Sequence, residues 1–340
     1  MTRSSFPAHV PLFATTRGNA APGVVECLHY GSVVVADRHG RVLAAAGDAH
    51  GLNFSRSTLK PLQALPFVED GGLARFGLGS QELALMCSSH NGETVHTELA
   101  QRILARVDAR PADLQCGAHE PRYFSATGER CPPSLVPSAL HHNCSGKHSG
   151  FLAYCRLHGH ALRSYLDPDA PVQVRIRNTV QRFCGADAIV AGTDGCSAPN
   201  FALPLRRLAQ VYCRLASDDA PELRALYYAM TRHPDLVSGT ARTDLTLMRL
   251  GRGDWVTKIG ADGMQALGIR SLGLGIAIRV ANADSSAVRV VTAEALHQLG
   301  LLDNPDRTAF GRHFRPLLRN ARGTVTGRTL PLFQLPRLVG

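Results

Sequence analysis

The order of strand-like and helical segments along the chain constrains the fold most. Residues 24–44 form two apolar runs around an Asp-Arg-His-Gly turn, which predicts a β-hairpin with glycine in the turn. Residues 254–260 and 273–280 predict two later strands, and the second leads toward the apolar residues 288–291 and a predicted helix over 292–299. Strands at both ends with helices between them imply one sheet that both chain ends build.

The middle of the chain carries the helical patterns. Periodic apolar residues predict helices within 80–88, 95–107, 149–164 and 203–232. The length of 340 residues, with 44% hydrophobic content, suits a single α/β unit of the α+β type over 1–340. Its predicted parts are sheet-forming segments at approximately 20–60 and 250–300, a mainly helical segment at approximately 61–249, and an arginine-rich tail at 304–340.

Ser57 and Lys60 stand one turn apart at the start of an apolar helix. Positions i and i+3 share a helix face with β-carbons about 5–6 Å apart, so the lysine amine can take the serine proton. A lysine with its ordinary pKa of about 10.4 is a poor base unless burial or a neighbouring positive charge keeps it neutral. The pair predicts a hydrolase with a second cation nearby. The alternative is a serine at a helix start followed by a solvated lysine.

Three further polar blocks carry candidate site residues. Ser89 and His90 come directly after an apolar helix, where they either line a site or cap the helix end. Arg242 can form a bidentate pair with a substrate carboxylate, or a structural salt bridge with Asp244. Lys258, in a Lys-x-Gly step at a strand end, can face the Ser-x-x-Lys pair across a cleft and hold the site electropositive.

Two more blocks, at 143–148 and 194–199, contain candidate metal ligands. The candidate ligands are Cys144, Lys147, His148, Asp194 and Cys196. The two cysteines can share a soft divalent ion, with one of the other side chains completing a tetrahedral zinc site; otherwise they are buried thiols. The Gly-Lys-His-Ser run at 146–149 lacks the spacing of a phosphate loop and a preceding strand, so nucleotide binding is disfavoured and no nucleotide or organic cofactor is expected.

Composition narrows the partners and the location. The net charge is +10, but seven arginines follow Asp306 with no acid after them. Apolar runs between these arginines predict a partly packed tail, so nucleic-acid binding is disfavoured. Nine scattered cysteines without a Cys-x-x-Cys pair predict reduced thiols. We see no signal peptide and no segment apolar enough to span a membrane, so the predicted location is cytoplasmic.

Five blocks in one order along the chain resemble the L-asparaginase II family of the Rhizobium etli type. They are Arg-Ser-Thr-Leu-Lys-Pro-Leu-Gln at 56–63, Ser-His-Asn-Gly-Glu at 89–93, Asn-Cys-Ser-Gly-Lys-His at 143–148, Asp-Gly-Cys-Ser-Ala-Pro at 194–199 and Lys-Ile-Gly-Ala-Asp-Gly at 258–263. The resemblance covers residues 24 to about 300, and we place the tail after 303 outside it. Asp262 departs from the pattern, because the family commonly has Glu there.

The resemblance implies a serine β-lactamase-like fold with an antiparallel sheet, a homodimer, and hydrolysis of L-asparagine to L-aspartate and ammonia. It implies that Ser57 is the nucleophile and Lys60 its general base, while Ser89 and Lys258 form a second Ser-Lys pair in the same cleft. Lys258 would then keep Lys60 neutral by repulsion, and Ser89 would relay a proton toward the departing ammonia.

The resemblance also implies a zinc ion held by Cys144, Lys147 and Cys196, with a role in substrate positioning. The candidate substrate-binding residues are Arg56, His90, Asp194 and Arg242, of which the two arginines are the candidates for the substrate α-carboxylate.

Two alternatives stay open at the level of the sequence. The Ser57-Lys60 pair would also serve a β-lactamase-like enzyme or a D-amino-acid amidase, although penicillin-type substrates lie outside the cytoplasm. In a different class, the chain would be a non-catalytic zinc or ligand-binding protein with the same fold. The preference for asparagine over glutamine is open too, because one methylene is worth only about 1–3 kcal/mol in a pocket.

Overall fold

The structure, a computed structural model, describes residues 7–18, 22–185, 189–282, 285–308 and 310–337. The strands are β1 (Val10–Arg17), β2 (Val24–Ala36), β3 (Val42–Ala46), β4 (Leu52–Phe54), β5 (Val190–Thr193), β6 (Pro199–Pro204), β7 (Trp255–Gly260), β8 (Met264–Ile269), β9 (Leu274–Val280), β10 (Leu317–Arg319) and β11 (Val325–Pro331). The helices are α1 (Lys60–Glu69), α2 (Gly72–Phe76), α3 (Ser80–Met86), α4 (Thr94–Arg106), α5 (Arg122–Thr127), α6 (Ser145–Leu157), α7 (Pro171–Cys184), α8 (Leu205–Ser217), α9 (Pro221–Arg232), α10 (Pro234–Val237), α11 (Thr243–Leu250) and α12 (Ser285–Gln298).

The large sheet joins both ends of the chain. Its strand order is β10-β11-β1-β2-β9-β8-β7, with β3 also paired to β2, and all of its pairs are antiparallel. The central pairing places Gly31–Ala36 of β2 against Gly275–Val280 of β9. The predicted fold class is therefore confirmed: it is an antiparallel sheet built from both chain ends, with a mostly helical insertion between them.

Helices cover both faces of this sheet because its strands alternate their side chains. Val34 and Ala36 belong to the larger core, which contains most of the helical insertion, whereas Val33 and Val35 belong to a second core with α12. Each fully buried aliphatic side chain of this size contributes about 1.5–3 kcal/mol to folding. On the first face, α8 lies directly on β9, since a Cβ atom at Gly275 would meet the Ala209 carbonyl oxygen at 1.8 Å.

The structure differs from the sequence-based elements at two places. Residues 288–291 lie inside α12, which begins at Ser285 instead of residue 292, because a short apolar β-branched run has no periodicity that separates a strand from a buried helix. The arginine-rich tail contributes β10 and β11 to the sheet, where residues 327–331 pair with residues 13–17 of β1. The tail is thus an integral part of the sheet, and alternate residues of β11 are buried.

Two absences apply to the described ranges. No helix there is long and apolar enough to cross a membrane. All nine cysteines lie within those ranges, and each is a free thiol.

Candidate active site

Ser57 and Ser89 line one cavity with a volume of about 540 Å³. The two serines come from separate parts of the helical insertion, the turn before α1 and the loop after α3. Asn143, Arg242 and Gly260 line the same cavity. Four of the five sequence blocks therefore contribute at least one residue to a single space.

Ser57 lies on a 3₁₀ turn, Arg56–Leu59, that leads directly into α1. Arg56 has a left-handed backbone, with φ of 52°, which costs about 1–3 kcal/mol for a residue with a side chain. Asn200 stabilises this turn, because its Oδ1 accepts hydrogen bonds from Ser55 Oγ (3.1 Å) and Arg56 N (3.2 Å). The Arg56 side chain is fixed by two carboxylates, Asp194 (Nε to Oδ1, 2.9 Å) and Asp262.

These ion pairs change the expectation for two predicted substrate-binding residues. Arg56 and Asp194 neutralise each other and are not among the residues that line the cavity. Asp262, the position that departs from the family pattern, completes the pairing of Arg56. We assign the Asp194-Arg56-Asp262 contacts to holding the turn that carries Ser57.

Lys60 is fully buried at the first position of α1. Its Nζ donates hydrogen bonds to Ser89 Oγ (2.9 Å) and to the Ser88 carbonyl oxygen. In the described ranges no hydrogen bond joins the side chains of Lys60 and Ser57. Burial lowers the pKa of Lys60; Cys144 and Cys196 oppose this shift and Lys147 adds to it. The sequence-predicted second cation therefore has two candidates: Lys147 lowers the pKa of Lys60, and Lys60 and Lys258 repel each other.

Lys258 is also fully buried, in the middle of β7. Its Nζ lies 3.4 Å from Asp244 Oδ2 and donates to the Ile259 carbonyl oxygen at 2.8 Å. Burial and Lys60 lower the pKa of Lys258 to about 8, against an opposing contribution from Asp244. The predicted second pair is thus rearranged: Ser89 is hydrogen-bonded to Lys60, and Lys258 is paired with Asp244.

Asp244 is fully buried and saturated with donors, which explains why it does not pair with Arg242. It accepts hydrogen bonds from Thr257 Oγ1 (3.0 Å), Ile259 N (2.9 Å) and Gln265 Nε2 (3.2 Å), in addition to its contact with Lys258. Sequence reasoning treated this residue only as a salt-bridge partner of Arg242. Asp244 and Lys258 are 14 positions apart in the sequence, and their pairing depends on how α11 packs against β7. No short sequence pattern predicts it.

Arg242 points toward the cavity, whereas His90 does not. Arg242 Nη1 donates to Asn91 Oδ1 (3.1 Å), and the residue lines the cavity. His90 is fully buried, with Nδ1 accepting from Gly92 N (3.0 Å) and Nε2 at 2.9 Å from Ser145 Oγ. Burial lowers the pKa of His90 well below its usual value. Both ring nitrogens thus have polar neighbours within the protein, and direct contact of His90 with substrate stays a prediction.

The candidate metal ligands lie close together, and Cys144, Lys147 and Cys196 all act on the pKa of Lys60. Lys147 Nζ lies 2.9 Å from Cys196 Sγ, and Asp194 Oδ2 lies 3.9 Å from the same sulfur. A hydrogen bond from Cys196 lowers the pKa of Cys144 well below its usual value, although burial opposes this shift. The pKa of Lys147 is raised by Cys196, Cys144 and Asp194 against the effect of burial. Both shifts favour a charged Lys147 beside a Cys144 thiolate.

A family model for L-asparaginase II matches residues 15–331. The chain belongs to the L-asparaginase II family. The match begins in β1 and ends in β11, so it includes most of the arginine-rich tail, and the expectation that the tail lies outside the resemblance is wrong. Membership of this family makes the chain an amidohydrolase.

Comparison with solved structures gives two distant similarities. A β-lactamase, Mb2281c, from Mycobacterium bovis has 13% sequence identity and a TM-score of 0.35, covering 78% of this chain and 93% of that one. A structure of Mglu in its native form in the presence of 4.3 M NaCl has 14% identity and a TM-score of 0.37, covering 81% of this chain and 62% of that one. A search of curated protein sequences found no match.

The sulfur-containing cluster of this L-asparaginase II family member fits the zinc ion that its sequence predicts. Two thiols and an amine are a soft donor set of the kind that zinc binds. The buried Nε2 atom of His148 has no hydrogen-bond partner in the described part of the chain, and Cys196 is among the groups that act on the pKa of this ring. No group of three or more His, Cys, Asp or Glu side chains placed to hold a metal occurs among the described residues, so a site on the two cysteines would take a further ligand of another type, such as Lys147.

Several cavity residues carry no signal in the sequence. Arg122 lies on α5, and Arg312 and His313 lie in the tail; all three line the cavity. The sequence predicts only a partly packed tail. The packing of the tail against α12 brings Arg312 and His313 to the cavity.

Proposed function

We propose that this amidohydrolase hydrolyses L-asparagine to L-aspartate and ammonia through an acyl-enzyme on Ser57. The observation that carries the proposal is the hydrogen bond between the buried Lys60 amine and Ser89 Oγ, on the wall of the cavity that Ser57 also lines. A serine oxygen, a second serine and a lysine with a lowered pKa are the parts that a Ser-Lys mechanism requires.

In the first step, Ser57 Oγ bonds to the side-chain amide carbon of the substrate, and its proton passes to Lys60, directly or through Ser89. The carbon-nitrogen bond then breaks, and the nitrogen leaves as ammonia with the proton that Lys60 returns through Ser89. In the second step, water attacks the ester, Lys60 accepts a proton from it, and the ester oxygen of Ser57 takes that proton back. The net reaction consumes one water and restores the free serine.

Lys258 supplies positive charge to the same buried region. Because its pKa is about 8, a substantial part of the population is neutral just above neutral pH, and Lys60 and Lys258 need not both be charged. Asp244 fixes the amine of Lys258 through a 3.4 Å contact. We assign Lys258 to tuning the proton transfer between Lys60 and Ser89.

Arg242 is the residue best placed for the substrate α-carboxylate. It lines the cavity, and no carboxylate pairs with it in the described ranges, whereas Arg56 already has two carboxylate partners. A guanidinium binds a carboxylate through two parallel hydrogen bonds, which would orient the substrate amide toward the serines.

The zinc assignment is part of the proposal. Cys144, Cys196 and Lys147 would hold the ion as three protein ligands, which would leave a fourth position for water. Zinc would supply a fixed positive charge beside the site when bound. Lys147 must lose its proton to become a ligand, so metal binding would release a proton.

The test is ammonia release from L-asparagine and L-glutamine by the purified protein and by a Ser57→Ala variant prepared identically. Turnover of asparagine that disappears in the variant supports the reaction and the nucleophile together. Release of ammonia from neither amide, with zinc supplied, overturns the proposal and favours the D-amino-acid amidase or binding-protein alternative.

A further inference from the structure

The lining of the cavity is strongly basic. Four of its residues are arginines, and no Asp or Glu is among the lining residues that the structure describes. The arginines come from four elements, and they are Arg122 of α5, Arg242 at the start of α11, Arg289 of α12 and Arg312 of the turn Gly311–His313. The positive charge of the cavity therefore comes from several separate parts of the chain and not from one charged segment.

Three of these arginines have no carboxylate partner among the described residues: Arg122, Arg242 and Arg312. The side-chain hydrogen bonds of Arg242 and Arg312 go to neutral groups, Asn91 Oδ1 (3.1 Å) and His313 Nε2 (3.3 Å). Arg315, three residues after Arg312, shows the contrast, because it pairs with Glu294 at 3.1 Å. Arg312 thus lines the cavity without a carboxylate partner among the described residues.

The cavity arginines act on one another, so they share one space. Burial lowers the pKa of Arg242, and both Arg122 and Arg289 add to this shift. Burial, Arg289 and Arg312 lower the pKa of His313 to about 4, which keeps that ring neutral at pH 7. The buried side chain of Phe310 packs into the core that contains α12 and holds the turn of Arg312 against it.

L-asparagine would use only part of the charge and of the volume of this cavity. At neutral pH it carries one carboxylate and one ammonium group, and no described lining residue offers a carboxylate to the ammonium. Pockets of about 300–1,000 Å³ usually take drug-sized ligands, and this cavity of about 540 Å³ lies within that range. An amino acid with nine non-hydrogen atoms would leave much of it filled by water.

We propose that the preferred substrate is a carboxamide that carries at least two carboxylates, the first bound by Arg242 and the second by Arg312 together with Arg122. This inference rests on the proposed function, since Ser57 attacks the same amide carbon and the same carbon-nitrogen bond breaks. Unpaired guanidinium groups in a partly enclosed cavity bind anions more strongly than they do in water. A second carboxylate therefore adds binding that asparagine cannot obtain.

The experiment compares pairs of substrates in which a methyl group replaces the second carboxylate. N-succinyl-L-asparagine and N-butyryl-L-asparagine extend the substrate at the α-amine, and β-L-aspartylglycine and N4-ethyl-L-asparagine extend it at the amide nitrogen. We measure kcat/KM for each compound and for L-asparagine with the wild-type protein. We repeat the measurements with Arg312→Gln, Arg122→Gln and the control Arg319→Gln, which removes an arginine on β10 that does not line the cavity.

We expect the carboxylate member of at least one pair to exceed its methyl counterpart by about tenfold or more in kcat/KM, as one good charge-assisted contact would give. The ratio should fall toward one in Arg312→Gln and decrease in Arg122→Gln, and it should persist in Arg319→Gln. The pair that shows the effect identifies which end of the substrate faces Arg312 and Arg122.

Two results would overturn the inference. Hydrolysis of asparagine with equal kcat/KM within both pairs would reject the second carboxylate and leave the proposed function intact. A preference that survives in both Arg312→Gln and Arg122→Gln would show that other residues create it. Absence of product from every compound would instead reject the proposed function, and this inference with it.

Discussion

Lys60 Nζ donates a 2.9 Å hydrogen bond to Ser89 Oγ, although the Ser-x-x-Lys step that identifies this lysine contains Ser57. The two serines line one cavity, so a single buried amine serves a site with two hydroxyl groups. Which serine forms the ester, and which transfers a proton, can be separated by experiment.

We expect Ser57→Ala to lose about 10⁴-fold or more in kcat, because removal of a nucleophile leaves only binding and electrostatic contributions. Ser89→Ala should lose about 10²-fold, the usual size of one proton-transfer contribution. Mass spectrometry of the rapidly quenched reaction should show the acyl adduct in wild type and in Ser89→Ala, but not in Ser57→Ala. Ser271→Ala, in an exposed turn, is the matched control. An adduct that survives in Ser57→Ala would transfer the nucleophile role to Ser89.

The rate should depend on pH through Lys258. Its pKa is about 8 because burial and Lys60 lower it. A charged Lys258 opposes the protonation of Lys60, which accepts the proton of the nucleophile, whereas a neutral Lys258 does not. As pH rises through about 8 the neutral fraction grows, so kcat/KM should increase between about pH 6 and pH 9.5 and then level off. Lys258→Arg stays charged over this range and should remove the increase. A profile that falls across this interval would contradict the assignment.

Asp244 should set the midpoint of that profile. The carboxylate raises the pKa of Lys258, so Asp244→Asn, which keeps the size of the side chain, should move the midpoint to lower pH. Glu294→Gln removes another buried acid, which pairs with Arg315 and does not line the cavity, and it should leave the midpoint in place. Thermal unfolding of both variants checks that they are folded. A midpoint that rises in Asp244→Asn would reverse the sign of the proposed interaction.

Metal content should follow the sulfur-containing cluster. We expect zinc to co-purify with the wild-type protein and to be lost in Cys144→Ser and Cys196→Ser, because a hydroxyl is a far weaker zinc ligand than a thiolate. Cys155→Ala removes a buried thiol from α6, the helix that begins directly after Cys144, and this variant should retain the metal. Inductively coupled plasma mass spectrometry gives the metal content, and a pH indicator follows the proton released when metal is added. Equal zinc in all three variants would exclude this cluster as the site.

Gly260 should be needed for the position of the Ser57 turn. A Cβ atom there would lie 2.9 Å from Met264 Cβ and 3.2 Å from the Ser55 carbonyl oxygen. We expect Gly260→Ala to lower the free energy of unfolding by about 1–3 kcal/mol and to reduce kcat, because β7 and the turn must separate. At Gly79 the nearest atom is Glu82 Oε2 at 3.5 Å, so Gly79→Ala is the control with room for a methyl group. Chemical denaturation and ammonia release measure the two effects, and unchanged values in Gly260→Ala would show that β7 can yield at this point.

The sequence by itself determined the local elements and the chemical character of the site. The β2-β3 hairpin, the positions of β7 and β9, several helices and the Ser-x-x-Lys step follow from periodicity, turn residues and spacing, which act over a few residues. The five blocks also identified the family, which the family comparison then confirmed.

Tertiary packing decided the partners of those residues. Lys60 finds Ser89 across 29 positions and Lys258 finds Asp244 across 14, while β11 joins β1 from the other end of the chain. Arg122 and Arg312 line the same cavity although they are far apart in the sequence. A buried amine takes whichever acceptor the packed helices and strands place within about 3 Å, since an unpaired buried donor is costly. Local sequence patterns do not encode that distance, and only the folded chain fixes it.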